Sequence, residues 1–485
     1  MSLLEESLWS SKININGWVQ GTAGTRDVME PATGNVLGSL GVASVQDVLR
    51  AATAAARAQV AWAAKKPEER AAVLRRAGDL WEEHTQEIQS WLIREAGSIP
   101  AKAGLETHTA AQECWEAAAL PSHPHGEVLT SNEDRWSFAR RRPAGVVSVI
   151  APFNFPLILS IRSVAPALAL GNAVLLKPDP RTAVCGGVAL MRIFEEAGLP
   201  AGVLSLLPGG ADVGAAVVEA PEVRVVSFTG STAAGRKVGE AAARHLKRAH
   251  LELGGNSALI VLPGADLAKA ASAGAFGSFM HQGQICMSTG RHFVHESLHD
   301  AYVDALSGKA RNIPVGDPNT GQVALGPVID EHQLGNIDHI VHASVMAGGR
   351  LAAGGTFDGL FYAPTVLADL ALDNPAFKEE IFGPVAPVAA FADIDELIEK
   401  VNANEYGLSV GILGEVGMAM RIADRVHSGK IHINEQTVSD EANAPFGGVG
   451  ASGTGSRFGG AAANIEAFTE TQWLTMRPEI ADYPF

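Results

Sequence analysis

Cysteine is scarce in this chain: 485 residues hold only three, Cys114, Cys185 and Cys286. An odd, sparse set argues against a disulfide framework and for a reducing, cytoplasmic setting. Long apolar runs are also missing. No stretch of about 18 uninterrupted apolar residues occurs, so no membrane span is expected. The opening MSLLEESLWSS is acidic and lacks the basic and apolar regions of a secretion signal. Basic residues are outnumbered, 37 Lys and Arg against 53 Asp and Glu, for a net charge of −16. Such a surface repels nucleic acid phosphates and anionic lipid, so neither is an expected partner. Internal repeats and clustered His/Cys ligand spacings are absent as well, and no metal is expected.

What is present is a long globular chain, 47% hydrophobic with 52 glycines. The length calls for two or three domains. Residues 46–120 carry alanine, glutamate and arginine with helical periodicity and read as a series of amphipathic helices. GEVLTSNEDRWSFARRR (126–142) reads as a polar hairpin. Short apolar runs then alternate with helical stretches: VVSVIAPF, AVLLKP, VLSLLPG and VRVVSFTG. That alternation predicts a parallel, doubly wound sheet. A second α/β series starts near Leu251. The tail from Asn464 (IEAFTETQWLTMRP) alternates apolar and polar residues as a strand does, and a terminal strand is usually tied to another subunit.

VVSFTGSTAAG (225–235) is a strand, a glycine-bounded turn and a helix start, suited to a pyrophosphate at a helix N-terminus. It is not the G-x-G-x-x-G fingerprint, and an ordinary tight turn reads the same way. Lys177 closes the apolar strand AVLLKP, at the edge where ligands bind such sheets. HQGQICMSTG places Cys286 beyond a polar, glycine-containing turn, the setting of an accessible thiolate. Cys114 and Cys185 read as small buried hydrophobes. Glu252 in HLELGGNS sits in an apolar strand, where a carboxylate must be paired, protonated or functional. Asn154 in APFNFP follows a strand; its amide serves either a proline turn or an oxyanion.

FNFP, LLKP, FTGST, LELGG, GQIC, EEIFGPV and PFGG, in this order and spacing, make the chain resemble the aldehyde dehydrogenase superfamily over almost its whole length. The resemblance implies Cys286 as nucleophile, Glu252 as general base, and the Asn154 amide with the Cys286 N–H as oxyanion hole. It implies Lys177 and Glu380 at the ribose groups of NAD or NADP. Gly230, Ser231 and Gly235 would line the pyrophosphate site, Gly214 would pack beside it, and Phe382 would touch the nicotinamide side.

The implied fold is a Rossmann-type cofactor domain, an α/β catalytic domain and a small β arm. Its segments are 1–125 and 143–251 for the cofactor, 252–428 for catalysis, 126–142 and 464–485 for the arm, and 429–463 returning to the cofactor domain. The arm implies a homodimer or homotetramer.

The segments around Asn154, Cys286 and Phe446 are most similar to the benzaldehyde and vanillin dehydrogenase subgroup, which implies an aromatic aldehyde substrate. Phe155, Leu159, Ile285, Met287 and Phe446 are then candidate pocket walls. Phe153 replaces a common tryptophan. Pro180 replaces the glutamate of NAD-specific members, with Arg181 beside it, so both NAD and NADP are expected to serve. Arg162 offers an alternative, a semialdehyde dehydrogenase in which it holds a carboxylate tail. A non-catalytic dinucleotide-binding or structural protein is the alternative from another class; the Asn154, Glu252 and Cys286 set argues against it. A coenzyme A-acylating member is disfavoured by the presence of Glu252.

Overall fold

The computed structural model describes residues 2–485. Four helices fill the alanine-rich region: Val45–Ala63, Pro67–Glu83, Thr85–Ala96 and Pro100–Ala119. Local signals set their ends. Ser44 and Asp47 form a reciprocal capping box at the first. Proline opens the second and fourth, where its missing N–H costs nothing. Gly97, at φ 64°, closes the third in the left-handed conformation.

Two seven-stranded sheets form the body of the molecule. In the first, strands Arg248–Glu252, Val223–Thr229, Val146–Ile150, Ala173–Lys177 and Leu204–Leu206 run parallel. Antiparallel Lys12–Asn14 and Trp18–Gln20 extend one edge. Val146–Ile150 and Ala173–Lys177 are buried throughout, as central strands covered on both faces must be. The second sheet has the order Arg350–Ala353, Thr365–Ala368, Val385–Phe391, Thr289–His295, Ser257–Val261, Ser409–Leu413 and Lys430–Ile433. Only its first strand is antiparallel. Each sheet carries its own apolar clusters, which explains the two α/β series in the sequence.

A three-stranded sheet stands apart from both. Thr469–Met476 pairs along its whole length with Trp136–Pro143, which pairs with Gly126–Val128. The alternation that begins at Asn464 is not strand from its start. Ala461–Phe468 is helix, and Ala467 and Phe468 enter the core of the first sheet. Burial on that core overrides the local two-residue period, and the strand starts at Thr469. No helix of the described residues is long and apolar enough to cross a membrane.

Candidate active site

Four of the sequence motifs end on the carboxyl edge of the first sheet. Strand register sets Ile150 beside Lys177 and Thr229 beside Glu252. A cleft of about 720 Å³ opens there toward the second sheet. Asn154, Leu159, Lys177, Gly230, Ser231, Cys286, Glu380 and Phe382 all line it.

The cysteine loop is held in a costly conformation. After the helix Leu267–Phe279, His281 and Gln282 take φ of 49° and 55°. Left-handed non-glycine residues cost roughly 1–3 kcal/mol each and persist only where surroundings over-determine them. Here Gln282 donates Nε2 to the carbonyls of Gly97 (3.2 Å) and Pro327 (2.7 Å). Gly283 follows at φ 65°, and a Cβ there would lie 2.0 Å from the Gly383 carbonyl. Gln284 accepts the Ile329 N–H on Oε1 at 3.0 Å, and its carbonyl accepts from Asn154 Nδ2 at 2.8 Å. The Asn154 amide is thus aimed at the loop two residues before Cys286. Across the sheet, a Cβ on Gly255 would lie 2.4 Å from the Cys286 carbonyl, so only glycine lets the loop seat there.

Burial dominates the electrostatics. Glu252 is 3% exposed; its Oε2 accepts the Gly448 N–H at 3.2 Å and its Oε1 has no partner. Burial pushes this carboxyl up to about 8, against the opposing pull of that N–H, Arg457, Arg162 and Lys430. Burial, and next the charge of Glu380, pushes the Cys286 thiol up to about 12; Lys430 opposes this. Burial likewise raises Glu380 to about 7, while the Gly255 N–H, donating to its Oε1 at 3.0 Å, favours the anion. Lys177 is held below its ordinary value by burial.

An apolar cluster adjoins the cysteine. Ile285, Met287, Leu408 and Phe446 are its buried members, and Phe155 and Cys286 pack against it. Leu159 lies outside that cluster, on the cleft wall. Arg162 is 3% exposed and stacks over Phe446, 4.6 Å from the ring centroid. Its Nη2 pairs with Asp440 and lies 3.6 Å from Glu113, so its charge is already balanced; Nε and Nη1 have no partner. Lys430 sits 4.5 Å from the Phe446 ring centroid, touches Met287 and donates to the Ser439 carbonyl at 2.7 Å. Lys430, Asp440 and Glu113 were not singled out from the sequence. They reach the site from 278 residues beyond Arg162 in the case of Asp440, and no local pattern marks such a contact.

The cofactor-side residues are less uniform. Ser231 caps the helix Thr232–Arg244 by accepting the Ala234 N–H at 3.3 Å, which directs free helix N–H groups at the cleft. Gly235 packs so closely on Leu253 that a Cβ would meet it at 2.1 Å. Phe382, at φ 51°, meets Phe153 edge to face at 5.9 Å. Gly214 does not line this cleft, and a Cβ there would meet nothing within 4 Å. It lies inside the helix Ala211–Glu219. Arg181 is not free beside Pro180. It is forked onto Asp179 (2.9 Å), reaches Asp330 (2.7 Å) and stacks over Phe153 at 4.2 Å.

A parallel sheet edge and a capped helix N-terminus frame the cleft, with Cys286 among its lining residues. The profile of the aldehyde dehydrogenase family matches residues 18–474, and the chain belongs to that family, the NAD(P)-dependent aldehyde dehydrogenases. It is 65% identical to a vanillin dehydrogenase of an Amycolatopsis strain, covering 100% of both chains. It is 47% identical to the benzaldehyde dehydrogenase [NAD(+)] of Pseudomonas putida, covering 99% of each. Among solved structures, a salicylaldehyde dehydrogenase from Pseudomonas putida G7 complexed with salicylaldehyde superposes with a TM-score of 0.94. That pair is 35% identical over 98% of this chain and 99% of the other.

Proposed function

We propose that the protein oxidises an aromatic aldehyde to its carboxylic acid with NAD or NADP, through a covalent bond to Cys286. The observation that carries this is Cys286 and Asn154 lining one cleft, with the cysteine packed against an apolar cluster of Ile285, Met287 and Phe446 that Phe155 also joins. The names of the vanillin, benzaldehyde and salicylaldehyde relatives support the substrate class.

In this reading Lys177 and Glu380 hold the ribose groups, Gly230, Ser231 and Gly235 take the pyrophosphate, and Phe382 borders the nicotinamide. The cleft fits such a group: the half-buried Glu380 keeps one carboxylate oxygen beyond its Gly255 bond, and Gly230 and Ser231 line the wall at the capped helix N-terminus. A bound nicotinamide supplies the acceptor for the hydride that leaves the aldehyde carbon.

The chain's own residues do the rest. The Cys286 thiol passes its proton to the Glu252 carboxylate, which releases it to solvent, and the sulfur adds to the carbonyl carbon; the oxyanion is met by Asn154 Nδ2 and the Cys286 N–H. Loss of hydride leaves a thioester on Cys286. Glu252, with Oε1 free and its carboxyl titrating near 8, takes a proton from water as the oxygen adds to the thioester carbon. The C–S bond then breaks and the thiolate returns.

The balanced Arg162, Lys430, Asp440 and Glu113 group favours a neutral ring over a carboxylate tail, because Arg162 has no uncompensated charge to offer. The cofactor domain comprises 1–125, 143–251 and 429–463, the catalytic domain 252–428, and the arm joins subunits into a dimer or tetramer in a cytoplasmic setting. Trp136 and Trp473, 60% and 65% exposed on the three-stranded sheet, support that pairing.

The test is steady-state reduction of NAD and of NADP with benzaldehyde, vanillin, succinic semialdehyde and acetaldehyde, with C286A as control. Aromatic aldehydes are expected to lead in kcat/KM by more than about tenfold, or ~1.4 kcal/mol. Preference for succinic semialdehyde would overturn the substrate assignment.

A further inference from the structure

A buried ion pair on the helix Pro100–Ala119 lies against the Asn154 turn, and the chemistry above makes no use of it. Lys102 and Glu106 are one helical turn apart, with side chains that are fully buried and paired to each other. A lysine has three N–H donors. Those of Lys102 go to Ser98 Oγ at 3.1 Å, to Glu106 Oε1, and to the backbone carbonyl of Asn154 at 2.7 Å. The second oxygen of Glu106 accepts the N–H groups of Leu157 at 3.0 Å and Ile158 at 3.5 Å. These belong to the first turn of the helix Pro156–Ala169, where intrahelical acceptors are lacking. Phe155, between the two anchor points, lies under the ammonium, 4.4 Å from ring centroid to Nζ.

The pair therefore grips the segment from both sides, a carbonyl at Asn154 and N–H groups at 157 and 158. Desolvating two charges is expensive, and a buried pair adds little stability over apolar residues of the same volume. The expense falls where backbone direction matters: the Asn154 amide makes one hydrogen bond, to the Gln284 carbonyl. We propose that Lys102 and Glu106 are positioning residues that set the direction of the Asn154 amide toward the oxyanion. This rests on the reading of Asn154 as oxyanion donor.

The experiment is a mutant cycle on the full-length enzyme. The variants are N154A, K102M/E106Q and the two combined, measured for kcat with benzaldehyde and for cofactor Kd by nicotinamide fluorescence. The neutral double substitution leaves no unpaired buried charge. Should it fail to fold by thermal melting, K102Q/E106Q, which retains a donor amide, carries the same cycle. N154A alone is expected to lower kcat by about 100- to 1,000-fold. The pair substitution is expected to lower kcat at least tenfold with cofactor Kd unchanged, and to add less than about twofold to N154A. Losses that multiply in the combined variant, or an unchanged kcat in K102M/E106Q, would overturn the positioning role. An N154A enzyme with full kcat would instead refute the reading of Asn154 itself, and that single variant identifies it.

Discussion

Removing the Glu252 carboxylate by E252Q should erase the alkaline rise of the reaction. In the folded protein this group titrates near 8, raised by burial from an ordinary value of 4.5. In the proposed reaction the base is its anion. About one-tenth of the enzyme therefore carries a competent base at pH 7 and about nine-tenths at pH 9. Where thioester hydrolysis limits turnover, kcat should rise about tenfold between those two pH values. E252Q should lower kcat by about 100- to 10,000-fold and flatten the profile.

The same shift has a stability consequence of definite sign. The folded carboxyl holds its proton more tightly than the unfolded one. Its penalty is absent below about pH 4.5, grows between about 4.5 and 8, and is constant above. The full span is a few kcal/mol, on the order of 1.4 per pH unit. E252Q should thus melt at a higher temperature than wild type at pH 9 and show little advantage at pH 4.5. The assays are kcat from pH 6 to 10 and melting curves at the two extremes. A wild-type kcat that stays flat from pH 6 upward, or an E252Q enzyme with the same rising limb, would refute the reasoning.

Two further outcomes follow from packing. R162A strips the cation from Asp440 and from the buried Glu113, whose carboxyl is left uncompensated, which should cost about 3–5 kcal/mol in urea unfolding; a loss under about 1 kcal/mol would contradict the pairing. G254A puts a Cβ 2.2 Å from Glu380 Oε2 and must displace that side chain. It should raise the KM for the cofactor roughly tenfold with little change in the rate of Cys286 alkylation, and an unchanged cofactor KM would separate Glu380 from ribose binding.

The architecture was legible where local pattern and tertiary environment agree. Short, mostly apolar runs such as Val146–Ile150 became central parallel strands, and glycine-bounded turns fell at their carboxyl ends. Cys286 and Asn154 were legible because polar, turn-forming residues surround them. The part of Ala461–Phe468 that follows Asn464 was misread because its alternating pattern is overridden by packing on a distant core. The buried charges of Pro100–Ala119 were invisible for a related reason. Nothing local marks Lys102, Glu106 and Glu113 as buried; contacts with residues about 50 positions away place them inside. Arg181 likewise looked available to a phosphate, since Asp330 lies 149 residues further on.

Those same buried charges bear on how the helix Pro100–Ala119 finds its place. Its inner surface is largely alanine, with Ala103, Ala110, Ala111 and Ala117 in the core, and an alanine surface is smooth. Sliding it by one turn, about 5.4 Å, would change its apolar contacts little. The same slide would tear Lys102 from the Asn154 carbonyl, Glu106 from the next helix and Glu113 from Arg162, and strand them in an apolar interior. The charges thus act as a ratchet tooth. They leave one vertical setting for an otherwise featureless rod, and that setting carries the Asn154 turn with it.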